Sequence, residues 1–307
     1  MSNIYAFTTT HLNKSYKDCV ALKDLSFTIN YGEVFGLIGE NGAGKTTLMK
    51  IIAGCSNATS GKMSILGASE RHLKEARKEM GVIIENPAYY GDMTGAENLE
   101  IIRLAKQIKG KTIIDTSLDL VGLLDVKSKK VNKYSLGMKQ RLGLAMALIG
   151  SPKFLILDEP TNGLDPNGIV EMRNIINRLN KEKGITILIS SHILTELNQL
   201  ATRYGILHGG KLIALHSAQE LHEKCQKRIK LLHNDSTDKI ESFIKQYQVA
   251  NMATDGKWIS FDYATVFPNN FLEILFNAKF NIIEYYSHQE SLEDYFVRLT
   301  KRRCDQC

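Results

Sequence analysis

The stretch Gly39-Glu-Asn-Gly-Ala-Gly-Lys-Thr46 constrains this chain more than any other. It fits G-x-x-x-x-G-K-[ST] and lies between an apolar run, Val34-Phe-Gly-Leu-Ile38, and a helical stretch from Lys45 to about Ala53. The glycines let backbone N–H groups turn inward around phosphate oxygens. The helix N-terminus adds the positive end of its dipole. Lys45 is placed to reach the β- and γ-phosphates of a nucleotide, and the Thr46 hydroxyl to ligate magnesium.

The order of elements around this loop predicts an α/β domain. Residues 20–30 alternate as a strand does, and Tyr31-Gly32 reads as a turn. Short apolar strands are expected at 34–38, 81–84, 154–157 and 185–189, with helices at about 168–181 and 193–200. The segment from about 96 to 150 is mostly helical in pattern. Strands alternating with helices imply a mainly parallel sheet. After about residue 216 the texture becomes more polar, and 226–300 reads as a smaller α+β unit.

A second motif, Phe154-Leu-Ile-Leu-Asp-Glu159, is an apolar strand that ends in two carboxylates. Open α/β sheets bind ligands at the carboxyl ends of their strands. Asp158 there can hold magnesium, largely through water, and Glu159 can polarise an attacking water as general base.

Bulk properties narrow the setting. The chain has 307 residues, with 43% hydrophobic and 23% charged, the balance of an ordinary globular protein. The net charge of +6 is spread along the chain and does not point to nucleic acid; Lys301-Arg302-Arg303 reads as a solvated basic end. No apolar run approaches the roughly 18 residues of a membrane span, and the first residues lack a secretory pattern. A cytosolic protein is therefore expected, meeting a membrane only by docking on another subunit. Five cysteines at irregular spacing suggest free thiols, and Cys304-x-x-Cys307 has no second pair to complete a zinc site.

With these motifs in order, the sequence resembles the ATP-binding cassette (ABC) ATPases from about residue 5 to 215. Tyr134-Ser-Leu-Gly-Met-Lys-Gln140 is similar to the family signature, Asn162-Gly-Leu-Asp165 to its D-loop, and His192 after ITILISS to its switch histidine. The resemblance implies a P-loop NTPase fold of class α/β: an ATPase domain over 1–215 with a helical subdomain at about 87–150, and an α+β accessory domain over 216–307. It implies ATP and Mg2+ as ligands. Nucleotide contacts are then carried by Tyr16, stacked on adenine, by Gly39, Asn41, Gly42, Gly44, Lys45, Thr46 and Thr47, and by Ser135, Gly137 and Asp165. Thr46, Asp158 and Glu85 fall at the metal, and Glu159 and His192 at the γ-phosphate chemistry.

Ser135 and Gly137 precede the helical stretch 140–149, so their hydroxyl and N–H groups form an anion site at a helix start. Because the chain already has its own phosphate loop, the family's arrangement implies a second copy whose signature meets the γ-phosphate. The partners implied are that second copy and a separate transmembrane permease, with no nucleic acid, at the cytoplasmic face of the membrane.

Two departures are informative. Leu136 and Met138 stand where the common signature has glycines. Glu85, at the end of Gly81-Val-Ile-Ile-Glu85, replaces a glutamine that contacts magnesium and reports to the permease. Glutamate there, together with ENPAYY and YSLGMKQRLGLA, resembles the bacitracin-resistance and lantibiotic-immunity exporters. Ser291-Leu-Glu-Asp-Tyr-Phe296 resembles the closing helix of such ATPases. A GTPase lacks support, since Asn132-Lys-Tyr-Ser135 has no guanine-reading aspartate. A chromosome or repair ATPase would need coiled coils between the two motifs, and a translation factor a second cassette. An importer ATPase shares every catalytic residue and remains the alternative, together with a non-transport ABC ATPase.

Overall fold

The computed structural model describes residues 5–17, 19–193, 197–225, 227–250, 252–262, 268, 270–289, 295–297 and 299. The chain divides into two compact units, Met1–Ala218 and Gln219–Cys307.

The first unit is organised by strands buried along their whole length. β1 (Tyr5–Tyr16), β2 (Cys19–Asn30) and β3 (Val34–Ile38) precede helix α1 (Lys45–Ala53). Then come β4 (Ser60–Ile65), β5 (Ala68–Ser69), α2 (Leu73–Lys78) and β6 (Met80–Ile83). Helices α3 (Gly95–Ala105), α4 (Thr112–Leu120) and α5 (Leu136–Leu148) fill the helical segment. The unit closes with β7 (Phe154–Asp158), α6 (Pro166–Lys183), β8 (Thr186–Ser191), β9 (Arg203–His208) and β10 (Lys211–Ser217).

Six strands form one sheet in the order β10-β9-β3-β8-β7-β6. All its pairings are parallel except β10 on β9. Every residue of β3, β7 and β8 is buried, which is why 34–38 and 154–157 read as continuous apolar runs and not as alternating ones. The register pairs Asp158 with Ser190 and Ile38 with Ser191, so the phosphate loop and the acidic pair leave the two strands that flank β8, at the same edge of the sheet.

A separate four-stranded antiparallel sheet, β2-β1-β4-β5, was not legible in the sequence beyond β2. Its β1 shifts register against β2 between Thr9 and Leu12 and again before Lys14 and Ser15. Each bulge inserts a residue, so the period-2 signal breaks and the run looks irregular. The two sheets meet through aromatic side chains: Phe7 lies 5.4 Å from Phe27, which stacks on Phe35 of β3 at 5.3 Å.

Helix ends follow their capping chemistry. The Glu97 N–H donates to Thr94 Oγ1 at 3.2 Å and the Thr94 N–H to Glu97 Oε2 at 2.7 Å, a capping box that starts α3. Helix α6 begins before the 168–181 expected, because Asp165 accepts the Gly168 N–H at 3.1 Å and Pro166 takes the first helical position. Of the helix expected over 193–200, residues 194–196 lie outside those described.

The second unit runs α7 (Ala218–Lys224), β11 (Lys227–His233), α8 (Thr237–Lys245), β12 (Ala253–Asp255), β13 (Trp258–Asp262), α9 (Phe271–Asn277) and β14 (Ile282–Gln289), with α7 starting one residue earlier in the first. Its antiparallel sheet has the order β12-β13-β11-β14. Alternate residues Ile229, Leu231, Ile259 and Phe261 form a core with Ile240 and Ile244 of α8 and Phe271 and Leu275 of α9. Both helices thus cover one sheet face. Residues 291–294, and Cys304 and Cys307, lie outside the described residues.

Candidate nucleotide site

The loop 39–44 turns from β3 into α1 through backbone that only glycine adopts easily. Gly42 and Gly44 have φ of 83° and 108°. A Cβ on Gly44 would sit 2.6 Å from the Ala21 carbonyl oxygen, so β2 closes against the loop too tightly for any side chain. The first turn of α1 carries no acidic residue, which leaves its positive dipole end uncompensated. Lys45 is buried, and its Nζ donates to the carbonyls of Gly39 at 2.7 Å and Glu40 at 3.2 Å. The ammonium is thereby held over the loop.

The two carboxylates at the end of β7 have different surroundings. Asp158 is buried; Thr46 Oγ1 donates to its Oδ2 at 2.7 Å and Ser190 Oγ to its Oδ1 at 2.5 Å. Glu159 turns into left-handed backbone, φ 47°. For a non-glycine residue that costs on the order of 1 kcal/mol and persists only where neighbours enforce it. Here the Glu159 N–H donates to Ser190 Oγ at 3.0 Å. The turn aims the side chain between two cationic or ring partners: Lys45 Nζ lies 3.4 Å from Oε1, and His192 Nδ1 is 2.8 Å from Oε2.

Ser190 is a site residue that sequence reasoning missed. It is fully buried and ties both carboxylate-bearing residues together. The only signal was its place at the end of ITILISS; its partner follows from the β7–β8 register, which local sequence does not encode. Ser190→Ala leaves the Glu159 N–H without an acceptor and removes a donor from Asp158. Urea unfolding is expected to show a loss of about 1–3 kcal/mol, accompanied by slower ATP turnover. A variant with wild-type stability and turnover would deny Ser190 this role.

An open cavity of about 730 Å³ lies above the loop. Tyr16, Asn41, Gly42, Gly44, Lys45, Thr46, Thr47 and Glu159 all line it, which brings most of the sequence-identified nucleotide residues together. Tyr16 is half exposed, and Lys14 Nζ sits 4.7 Å from its ring centre. Val20, an exposed apolar residue that sequence reasoning passed over, adds a hydrophobic wall. Gly39 contributes through its carbonyl to Lys45. A smaller cavity of about 190 Å³ adjoins Glu159 and His192 and is walled by 161–164 of the D-loop-like segment.

Ser135, Gly137 and Asp165 do not line the nucleotide-sized cavity. Ser135 is exposed and caps α5, accepting the Met138 N–H at 3.2 Å. The helix therefore starts at Leu136, four residues before the 140 expected, and Gly137 lies inside its first turn instead of ahead of it. The hydroxyl cap is what extends it. The signature and D-loop segments are neighbours: a Cβ on Gly163 would meet Leu136 Cδ2 at 3.3 Å. Glu85 follows the end of β6 with φ 61°, and its carboxylate contacts Lys50 Nζ at 2.6 Å. It does not line the cavity.

A phosphate loop on a strand–helix turn, beside a buried strand ending in Asp-Glu, defines a P-loop ATPase site. The sequence profile described as ABC transporter matches residues 22–162. Over 293 residues the chain is 39% identical to the bacitracin transport ATP-binding protein BcrA of Bacillus licheniformis, covering 95% of this chain and 96% of that protein. It is 45% identical over 203 residues to the lantibiotic transport ATP-binding protein SrtF of Streptococcus pyogenes, covering 66% of this chain and 87% of the relative. Among solved structures, cbiO1 from Clostridium perfringens, part of the ABC transporter complex cbiONQ, aligns with a TM-score of 0.65 at 26% identity, covering 79% of this chain and all of that one. The chain belongs to the ABC transporter family as an ATP-binding, ATP-hydrolysing subunit.

Proposed function

We propose that this ATPase powers export of a peptide antibiotic, of the bacitracin or lantibiotic kind, through a separate membrane subunit. Similarity to the bacitracin transport protein along 95% of the chain supports this reading, because it takes in the second unit as well as the ATPase. Among the described residues no helix is long and apolar enough to cross a membrane, so the path for substrate belongs to a partner. The chain then works at the cytoplasmic face, docked on that partner.

The structural observation that carries the hydrolytic role is Glu159, whose two oxygens meet Lys45 and His192 beside the phosphate loop. Glu159 acts as the base that takes a proton from water, and His192 orients it while facing the γ-phosphate. Lys45 and the loop N–H groups bind the β- and γ-phosphates, and Tyr16 stacks on the adenine. The hydroxyl of Thr46 and carboxylate of Asp158, 2.7 Å apart, are the hard oxygen donors that suit Mg2+. Among the described residues no cluster of three or more acidic, histidine or cysteine side chains forms a closed metal cage. That fits an ion shared with nucleotide phosphates, which it neutralises when bound. Exposed Ser135 and the N-terminus of α5 suit a γ-phosphate held by a second copy, with Asp165 at the same junction.

The test is resistance in cells. Co-expression with the cognate membrane subunit is expected to raise the inhibitory concentration of a bacitracin or a lantibiotic several-fold, and Lys45→Ala to abolish the gain. Unchanged resistance to both classes, with ATP hydrolysis intact, would reject peptide-antibiotic export and favour an importer or a non-transport role.

A further inference from the structure

Lys50 has no part in the phosphate-loop pattern, yet it faces the same way as Thr46. The two are four residues apart on α1, one turn along one helix face. Thr46 Oγ1 donates to Asp158 Oδ2 at 2.7 Å, and Lys50 Nζ to Glu85 Oε1 at 2.6 Å. Strands β6 and β7 are parallel neighbours with Ile83 opposite Leu157, so Asp158 and Glu85 leave adjacent strand ends toward that face. A single helix face therefore meets two carboxylates, one through a hydroxyl and one through an ammonium.

Glu85 is held in a backbone conformation that an extended loop residue does not choose. Its φ of 61° lies in the left-handed region, as does that of Glu159. The Lys50–Glu85 pair is solvated, with side chains 39% and 63% exposed, so its contribution to overall stability is small. Its consequence lies in where it fixes a charge. The ammonium meets Glu85, and one turn away on the same helix face Thr46 meets Asp158.

We propose that Lys50 is a positioning residue that holds and neutralises the Glu85 carboxylate one helical turn from Thr46, so that the pair, and not Glu85 alone, sets how strongly the site takes up a divalent cation. This rests on the reading of Thr46 and Asp158 as the metal ligands.

The experiment uses the full chain and Mn2+ as probe, titrated by electron paramagnetic resonance with a non-hydrolysable ATP analogue at saturation. A unit charge several ångströms away in a partly solvated site changes metal affinity about fivefold. Lys50→Met is expected to bind Mn2+ about fivefold more tightly, Glu85→Gln about fivefold more weakly, and the double variant as wild type does. Hydrogen exchange of the 84–88 amides without nucleotide is expected to quicken alike in both single variants, because each frees the loop. Wild-type Mn2+ affinity in Lys50→Met, or a double variant whose Mn2+ affinity departs from that of wild type, would overturn the proposal. Asp158→Asn separates the two readings. Mn2+ uptake that survives it rejects the metal-site assignment, while loop exchange still judges the pair.

Discussion

Replacing Glu159 by glutamine is expected to lower ATP turnover about a thousandfold while leaving ATP binding within a few-fold of wild type. General base catalysis contributes roughly 10²–10⁴ in rate, and glutamine keeps the length and shape of the side chain while losing the proton acceptor. The Glu159 backbone sits at φ 47° and is pinned through its N–H to Ser190, a bond that the side-chain change does not touch. One amide oxygen can still face Lys45, so the phosphate loop keeps its ammonium in place. Turnover should be read as phosphate release at saturating ATP and binding by fluorescence titration. Retention of more than about a tenth of the wild-type rate would move the base elsewhere.

The second large effect is expected from Lys45→Ala. The ammonium is buried and donates to two carbonyls of its own loop, so its removal takes away the loop's internal brace as well as its charge. A charge-assisted hydrogen bond contributes about 1.5–3 kcal/mol, which is about 10- to 150-fold in affinity. Glu159 also loses the cation 3.4 Å from its carboxylate, so the acidic pair then faces the phosphates with less compensation. ATP affinity is expected to fall at least tenfold at fixed salt, and turnover to become undetectable. Unchanged affinity would mean that the loop is not a nucleotide site.

What the sequence revealed and concealed follows from the range of the interactions involved. The phosphate loop was legible because its chemistry is contiguous: glycines, lysine and threonine act within one turn of chain. The buried strands at 34–38 and 154–157 were legible because burial on both faces demands continuous apolar residues. Helix starts were placed late at α5 and α6, since the caps Ser135 and Asp165 lie outside the hydrophobic pattern that marked the helices. The β1–β4 pairing was hidden by bulges. Ser190 and Lys50 were hidden for a different reason. Each acts on a residue more than thirty positions away, through strand register in one case and helix facing in the other. The signature serine was legible as a motif, but its exposure, away from the cavity of its own chain, is a fact of three dimensions.

That exposure makes assembly the most direct test. If Ser135 of one copy closes over ATP held by another, the slow variant Glu159→Gln should accumulate as a closed pair. Its mass, measured by light scattering on a sizing column, is expected to double from about that of the 34.5 kDa chain when ATP and Mg2+ are present. It should return to the single-chain value with ADP or when Ser135→Arg is added. A mass that stays at one chain in ATP, in a variant that demonstrably binds ATP, would contradict the shared site.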